Sequence, residues 1–292
     1  MPDRIVISGA GGQVGRCLAA RAAQDGRQVL ALTSAQWDIS DPAAAEPIVE
    51  PGDVVINCAA YTNVDAAESH EQAAHAVNAA GPGHLARACA RAGAALIHIS
   101  TDYVFSGDFG GSAPRPYQPD DPVGPLSVYG RTKLAGERAV LAASPTATVV
   151  RTAWVYTGGT GTDFVATMRR LAGDDGTVSV VDDQIGSPTY VADLVAALLQ
   201  VADGRVTARV VHAANHGAVS RCEQARAVFR YLGADPDRVR PVASADNPRP
   251  AARPAYSALS GAASARAGLT PLRGWHDALV EALGAGQLPS TP

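Results

Sequence analysis

The sequence almost lacks lysine. Lys and Arg together number 24 in 292 residues, and all but one are arginine. The exception is Lys133, four residues after Tyr129. Basic residues form no run or stripe, and the formal net charge is −4. This speaks against a nucleic-acid partner and against a polybasic membrane surface. The four cysteines, Cys17, Cys58, Cys89 and Cys222, are scattered with no CxxC spacing. They fit reduced thiols better than a disulfide framework or a metal site. No apolar stretch approaches the ~18 residues that a membrane span needs. The opening MPDRIVISGAGG lacks the layout of a signal peptide. These absences predict a cytoplasmic protein without metal, membrane or nucleic acid.

What is present is a regular alternation. Short β-branched runs read as strands at 4–8, 28–32, 53–60, 95–100 and 146–152. Alanine-rich helical stretches fall between them, at 13–25, at 65–92 with an interruption near Gly81-Pro82, and at 126–143. Strands alternating with helices of this length predict βαβ units and a parallel sheet, hence an α/β fold. The near-continuous apolar strands agree, because parallel strands are buried on both faces. Regularity falls after about residue 152. Helices are expected at 164–172, at 190–202 and around Trp275 and Leu279, with a strand at 210–215. Residues 157–163 and the proline-rich 241–257 read as loops.

The first strand runs into Gly9-Ala10-Gly11-Gly12-Gln13-Val14-Gly15, and glycines 9, 12 and 15 fit GxxGxxG. One glycine permits the tight turn, one lets the backbone approach a pyrophosphate, and one lets helix and strand pack closely. The helix start then offers free N–H groups and a positive dipole end to phosphates. A dinucleotide site is the expectation. The second strand ends in Thr33-Ser34 without the carboxylate that holds an unphosphorylated ribose. NADPH is therefore favoured, with NADH as the second option. Arg16 either pairs with the 2′-phosphate or is a solvated helix residue. Asp38, in WDISD, either accepts the adenine amino group or caps a helix before Pro42.

Residues four apart share a helix face, so Tyr129 and Lys133 are predicted to point together. An ammonium beside a phenol lowers its pKa from a reference near 10, and such a phenol donates a proton near neutral pH. The ammonium also suits the ribose of a nicotinamide. Ligands of open parallel sheets bind beyond the carboxyl ends of the strands. Thr101, in Ser100-Thr101-Asp102-Tyr103, falls at one such end, and its hydroxyl suits a carbonyl beside Tyr129. Ala59-Ala60-Tyr61-Thr62 falls at another, where small residues let a cofactor ring approach.

The glycine loop, the Thr and the YxxxK pair resemble those of the extended short-chain dehydrogenase/reductases. GGQVG, NCAAYTNVDAAE, STDYVFSG, YGRTKLAGE, RTAWVY and DDQIGSPT, in that order, resemble the dTDP-4-dehydrorhamnose reductase family over most of 5–190. RPAYSAL (253–259) extends the likeness into the last third. The resemblance implies a Rossmann-type doubly wound parallel sheet with a smaller C-terminal substrate-binding domain. The dinucleotide part would span 1–152 plus about 190–215, and the sugar-nucleotide part about 153–189 and 216–292.

By that resemblance Thr101, Tyr129 and Lys133 carry catalysis. Gly9, Gly12, Gln13, Val14, Gly15, Asp38, Ile39, Ala59, Ala60, Tyr61 and Thr62 hold the cofactor, with Tyr129 and Lys133. Thr101, Asp102, Tyr129 and Trp154 touch the sugar nucleotide, and Arg253 is a candidate for its pyrophosphate. Some relatives form a magnesium-bridged dimer through a Glu two residues after the last loop glycine. Here that place is Cys17, preceded by Arg16. A monomer or metal-independent homodimer is expected.

The implied reaction is NADPH-dependent reduction of the C4 ketone of a dTDP-4-keto-6-deoxy-L-hexose, dTDP-4-dehydro-L-rhamnose first. Tyr129 would be the proton donor, Lys133 would depress its pKa, and Thr101 would bond the oxyanion. A 4-ketoreductase for another deoxysugar, as in an antibiotic pathway, is the main alternative. A non-catalytic regulatory subunit is a distant one. A 4,6-dehydratase wants Asp-Glu after the threonine, and here Asp102-Tyr103 follows.

Overall fold

The structure is a computed structural model that describes residues 4–159 and 161–285. The first half builds β1 (Arg4–Ser8), α1 (Gln13–Gln24), β2 (Val29–Leu32), β3 (Asp53–Asn57), α2 (Val64–Ala67), α3 (Glu71–His75), α4 (Gly81–Ala92), β4 (Ala95–Thr101), α5 (Val128–Ala143) and β5 (Thr148–Thr152). The second half adds β6 (Val155–Tyr156), α6 (Phe164–Ala172), β7 (Val178–Val181), β8 (Ile185–Gly186), β9 (Thr189–Tyr190), α7 (Val191–Ala202), β10 (Val210–His212), β11 (Val219–Ser220), α8 (Arg221–Tyr231), β12 (Val239–Val242), α9 (Ala262–Arg266) and α10 (Trp275–Ala285). No helix among the described residues is long and apolar enough to cross a membrane.

Six strands form one parallel sheet in the order β10-β5-β4-β3-β1-β2. All five residues of β3 are buried, as a strand covered on both faces requires. The chain steps from β1 outward to β2, then returns to place β3 on the other side of β1. That reversal opens a crevice beyond the carboxyl ends of β1 and β3, the usual ligand position in Rossmann-type sheets. The remaining strands form three separate pairs, β6 with β9, β7 with β12, and β8 with β11.

The helix expected over 65–92 breaks in a different place. Glu68–His70 separate α2 from α3, whereas the chain runs helically through Gly81-Pro82. A π-helical turn, Ala76–Ala80, precedes the proline. Pro82 has no N–H to give the Asn78 carbonyl and would crowd it in a regular helix; widening the turn accommodates both. The freed Asn78 carbonyl presses on α5. A Cβ on Gly136 would lie 2.1 Å from that oxygen, so only glycine fits there. The Asn78 side chain accepts from the Tyr61 amide (2.8 Å) and donates to the Tyr61 carbonyl (3.1 Å) and Thr132 Oγ1 (3.2 Å). One π turn thus ties the loop after β3 to α5.

Most other boundaries differ by shortening, although β4 runs one residue further, to Thr101. The strands expected at 53–60 and 210–215 stop at Asn57 and His212. The segment expected as loop from 241 begins as strand, Val242 pairing with Val181. α5 starts where buried Ser127 accepts a bond from the Gly130 amide (3.2 Å). Ser127→Ala is expected to lose about 1 kcal/mol of stability, the usual worth of such a cap. Urea unfolding would measure it, and an unchanged midpoint would refute the cap's contribution.

Candidate active site

A cavity of about 830 Å³ opens beyond the carboxyl ends of the central strands. It brings together Gly9, Gly12, Gln13, Val14, Ala59, Ala60, Tyr61, Thr62, Thr101, Asp102, Tyr129, Lys133 and Trp154. Five sequence-predicted residues, Arg16 among them, do not line it. Gly15 packs beneath the loop, where a Cβ would lie 2.4 Å from the Gly9 carbonyl oxygen. Asp38 binds the amide and hydroxyl of Ser40 at 2.9 and 2.7 Å, which holds its carboxyl below its ordinary value. Ile39 is buried in the core, in contact range of Gly81. Arg253 is turned to Asp65, at 3.0 Å from each oxygen.

At one end of the cavity the chain leaves β1 through Gly9, whose φ is +68°. A Cβ there would stand 2.5 Å from the Ala59 amide nitrogen. The glycine therefore serves twice, in the left-handed turn and in the close approach of the two strand ends. No side chain caps α1, whose N-cap is Gly12, so its first N–H groups are left for an anion. Ser34 lines the cavity, and Arg16 bonds the Gly11 carbonyl. The loop, the uncapped helix and the small Ala59-Ala60 wall fit a dinucleotide.

At the centre stand Thr101, Tyr129 and Lys133. The Thr101 hydroxyl donates to Asp102 Oδ1 (3.0 Å) and accepts from the Tyr103 amide (3.2 Å). The Tyr129 ring meets Tyr103 edge to face, centroids 5.9 Å apart. The sequence predicts a phenol made acidic by Lys133, and the structure differs. Burial pushes the Tyr129 phenol above its ordinary value, adjoining Thr101 offsets part of the rise, and Asp102 and Tyr103 add to it. Lys133 Nζ instead donates to the Ile99 carbonyl at 2.7 Å. Burial pulls Lys133 down to about 8, against the charge of Glu137. Tyr129 thus holds its proton at neutral pH, whereas Lys133 is drawn down toward it.

Asp102 is 2% exposed and accepts from Ser257 Oγ (2.5 Å) as well as Thr101. Burial raises it to about 6, and those two bonds only partly oppose the rise. A folded carboxyl above its unfolded value of 3.8 binds more protons than the unfolded one between those limits. Stability therefore falls as pH rises through that window, and the charged form is destabilising above it. Asp102→Asn is expected to gain about 1–2 kcal/mol at about pH 8 and nothing below about pH 4. Urea unfolding at both pH values checks this; an equal difference at both would sink it.

The far end of the cavity holds a residue that the sequence reading missed. Arg221, the first residue of α8, lays its guanidinium 3.5 Å from the Trp154 ring centroid and 4.9 Å from that of Phe164. Trp154 itself has φ +49°, the one positive value outside glycine among the described residues. Arg221 has a long contact with Gln224 Oε1 (3.4 Å) and no ion pair among the described residues. Burial pulls its pKa down to about 10. Asp102 acts on it only from beyond ion-pair range, and a partly buried cation so weakly compensated is costly unless a ligand brings an anion.

A family model described as RmlD substrate binding domain matches residues 3–287. A dTDP-4-dehydrorhamnose reductase of Mycobacterium tuberculosis is 69% identical over 283 residues, 97% of this chain and 93% of the relative. Among solved structures, a dTDP-4-dehydrorhamnose reductase of Clostridium acetobutylicum superposes with a TM-score of 0.91 at 37% identity, covering 98% of this chain and 100% of that one. One of Bacillus anthracis, in complex with NADP, does so with a TM-score of 0.91 at 34% identity and the same coverage.

Proposed function

That this chain belongs to the dTDP-4-dehydrorhamnose reductase family of oxidoreductases is the premise from which we propose its function, the NADPH-dependent reduction of dTDP-4-dehydro-L-rhamnose at C4 to dTDP-L-rhamnose. One observation carries it: Thr101, Tyr129 and Lys133 meet in one cavity with the glycine loop. Bound NADPH would supply the hydride. Tyr129, held protonated by its burial, gives its proton to the oxygen developing at C4. Lys133, anchored on Ile99, faces the ribose with its remaining N–H groups. Thr101 carries its proton to Asp102 in the resting site and turns it to the C4 oxygen when the sugar enters.

The cofactor end is formed by Gly9, Gly12, Gln13, Val14 and the wall Ala59–Thr62, with Gly15 packing the loop from below. Asp38 and Ile39 act behind that surface, Asp38 by shaping its turn at Ser40 and Ile39 by packing. Preference for NADPH over NADH is supported by Thr33-Ser34 at the end of β2 and by Arg16 on the adjoining Gly11 carbonyl. The sugar nucleotide lies toward Asp102 and Trp154, with Arg221 on its diphosphate. Arg253 contributes through adjoining Tyr103. The division into a dinucleotide part, 1–152 with about 190–215, and a sugar-nucleotide part is supported by strand membership. All six strands of the main sheet fall in the first and the three small pairs mostly in the second.

The test follows NADPH oxidation by the purified protein with dTDP-4-dehydro-L-rhamnose, NADH running in parallel, and identifies the product. Oxidation to dTDP-L-rhamnose, faster with NADPH, is expected. A product epimeric at C4 would move the protein to another deoxysugar, and no oxidation would refute the reading.

A further inference from the structure

Lys133 Nζ has a second polar neighbour, His98 Nε2, 3.4 Å away. His98 is fully buried on β4. Its other ring nitrogen, Nδ1, lies 3.0 Å from Asn57 Nδ2 at the end of β3. The orientation of that amide is fixed by its surroundings. The Ala59 amide (3.0 Å) and the Ser8 hydroxyl (2.7 Å) both end on Asn57 Oδ1. A backbone N–H can only donate, so the atom it meets must be the oxygen, and the atom facing His98 must be the NH2. An NH2 can only donate in turn, so His98 Nδ1 accepts and carries no proton. Burial and the charge of Lys133 hold His98 well below its ordinary value, so the ring is neutral. Its one proton is then on Nε2. Lys133 Nζ is the hydrogen-bond neighbour of that N–H among the described residues.

An ammonium has no lone pair to receive such a proton, whereas a neutral amine has one. We propose that His98 is a positioning residue of Lys133: locked by Asn57 with its proton on Nε2, it bonds the lysine nitrogen when that nitrogen is neutral and opposes the ammonium. The inference rests on the reading of Tyr129 and Lys133 as the catalytic pair. After Tyr129 has given its proton away, the phenolate regains one that the Lys133 ammonium gives up, passed along by an intervening hydroxyl or water. This leaves a phenol and a neutral amine, and the amine accepts the His98 N–H until a proton from water restores it. His98 makes the ammonium ready to part with its proton.

The other groups around Lys133 do not supply this bias. Cys58, beyond β3, is kept as a thiol by burial, which pushes it up to about 12. Glu137, on α5, already accepts from Arg151 at 2.9 and 2.7 Å and from Ser100 at 2.5 Å. Tyr129, on the same helix, holds its proton.

The test has two arms. Nitrogen NMR of the histidine rings in the intact protein, with His98 assigned through His98→Gln, is expected to show a bare Nδ1 and a protonated Nε2 from about pH 6 to about pH 9. A proton on Nδ1 would overturn the proposal, and this arm needs no activity. The second arm is Asn57→Asp, whose carboxylate accepts where the amide donated. It moves the ring proton to Nδ1 and turns a bare Nε2 to the ammonium. The alkaline limb of the kcat profile is expected to move up by about one pH unit. Ser8→Ala, which removes only a donor to Oδ1, should leave the limb in place. An unmoved limb in the Asn57→Asp protein would overturn the proposal. Wild-type protein that fails to oxidise NADPH would refute the proposed function, and the ring protons would still decide the role of His98.

Discussion

Tyr129→Phe is expected to lower the rate of NADPH oxidation by about 10³-fold, within the range that a positioned proton donor contributes. The ring should stay in place, because its edge-to-face contact with Tyr103 does not involve the hydroxyl. Affinity for NADPH should therefore change little. The loss should fall on kcat, since the proton is needed only as charge develops on the C4 oxygen. Its pH behaviour discriminates further. The phenol lies above its ordinary value through burial. Wild-type activity should thus not fall with rising pH through ionisation of Tyr129. Any alkaline limb should reflect Lys133, which burial brings to about 8. Steady-state kinetics of both proteins across pH would check this. A variant with turnover near wild type would remove Tyr129 from the proton path, and a large rise in the Kd for NADPH would recast it as a binding residue.

The first half of the molecule was legible because its signals are local and repeated. β1, α1, β3, β4 and α5 each carry a continuous apolar run or a helical stripe, and the glycine loop falls at the one turn where its spacing has meaning. The lone Lys133 drew attention to α5 without any structure. What the sequence did not disclose is direction. The spacing of Tyr129 and Lys133 predicts a shared face, and both do line the cavity. Their chemistry is set by groups far along the chain. Ile99 and His98 take up Lys133, and burial raises Tyr129. Nothing in VYGRTKLAGE encodes those partners.

The second half was less legible for a different reason. Strand pairs of two residues, such as Val155–Tyr156 with Thr189–Tyr190, are too short to show a period. In α8 the buried face is built of Cys222, Ala225, Val228 and Phe229, where small residues dilute the stripe. A signal was nevertheless present. Ser220-Arg221-Cys222-Glu223 has the spacing of a capping box, and Ser220 Oγ does accept from the Glu223 amide at 3.1 Å. It would have placed the helix start and, with it, Arg221. Arg253 shows the converse: its charge made it a candidate, but Asp65 satisfies that charge. Charge alone does not separate a cation awaiting an anion from one already paired.

Arg221→Met tests that distinction at the sugar-nucleotide end. Methionine keeps an unbranched stem against Trp154 and Phe164 and removes only the guanidinium. The cation stands 3.5 Å over the Trp154 ring and makes no ion pair among the described residues, Asp102 acting on it only at longer range. A diphosphate placed there would gain charge-assisted bonds in a partly desolvated site, worth about 2–3 kcal/mol. The expected result is a rise of about 100-fold in KM for the dTDP-sugar, with kcat within a few fold and KM for NADPH unchanged. Arg221→Lys should recover only part of the loss, because an ammonium keeps the charge but not the flat stacking on Trp154. The cation at Arg253 gives an internal control. Its two bonds to Asp65 must break before it can serve a ligand, so Arg253→Met should raise the same KM by less. A KM for the sugar that moves less than about threefold in Arg221→Met would mean that the diphosphate lies elsewhere. The unpaired charge would then be a cost to folding alone, and the same variant would unfold at higher urea than the wild type.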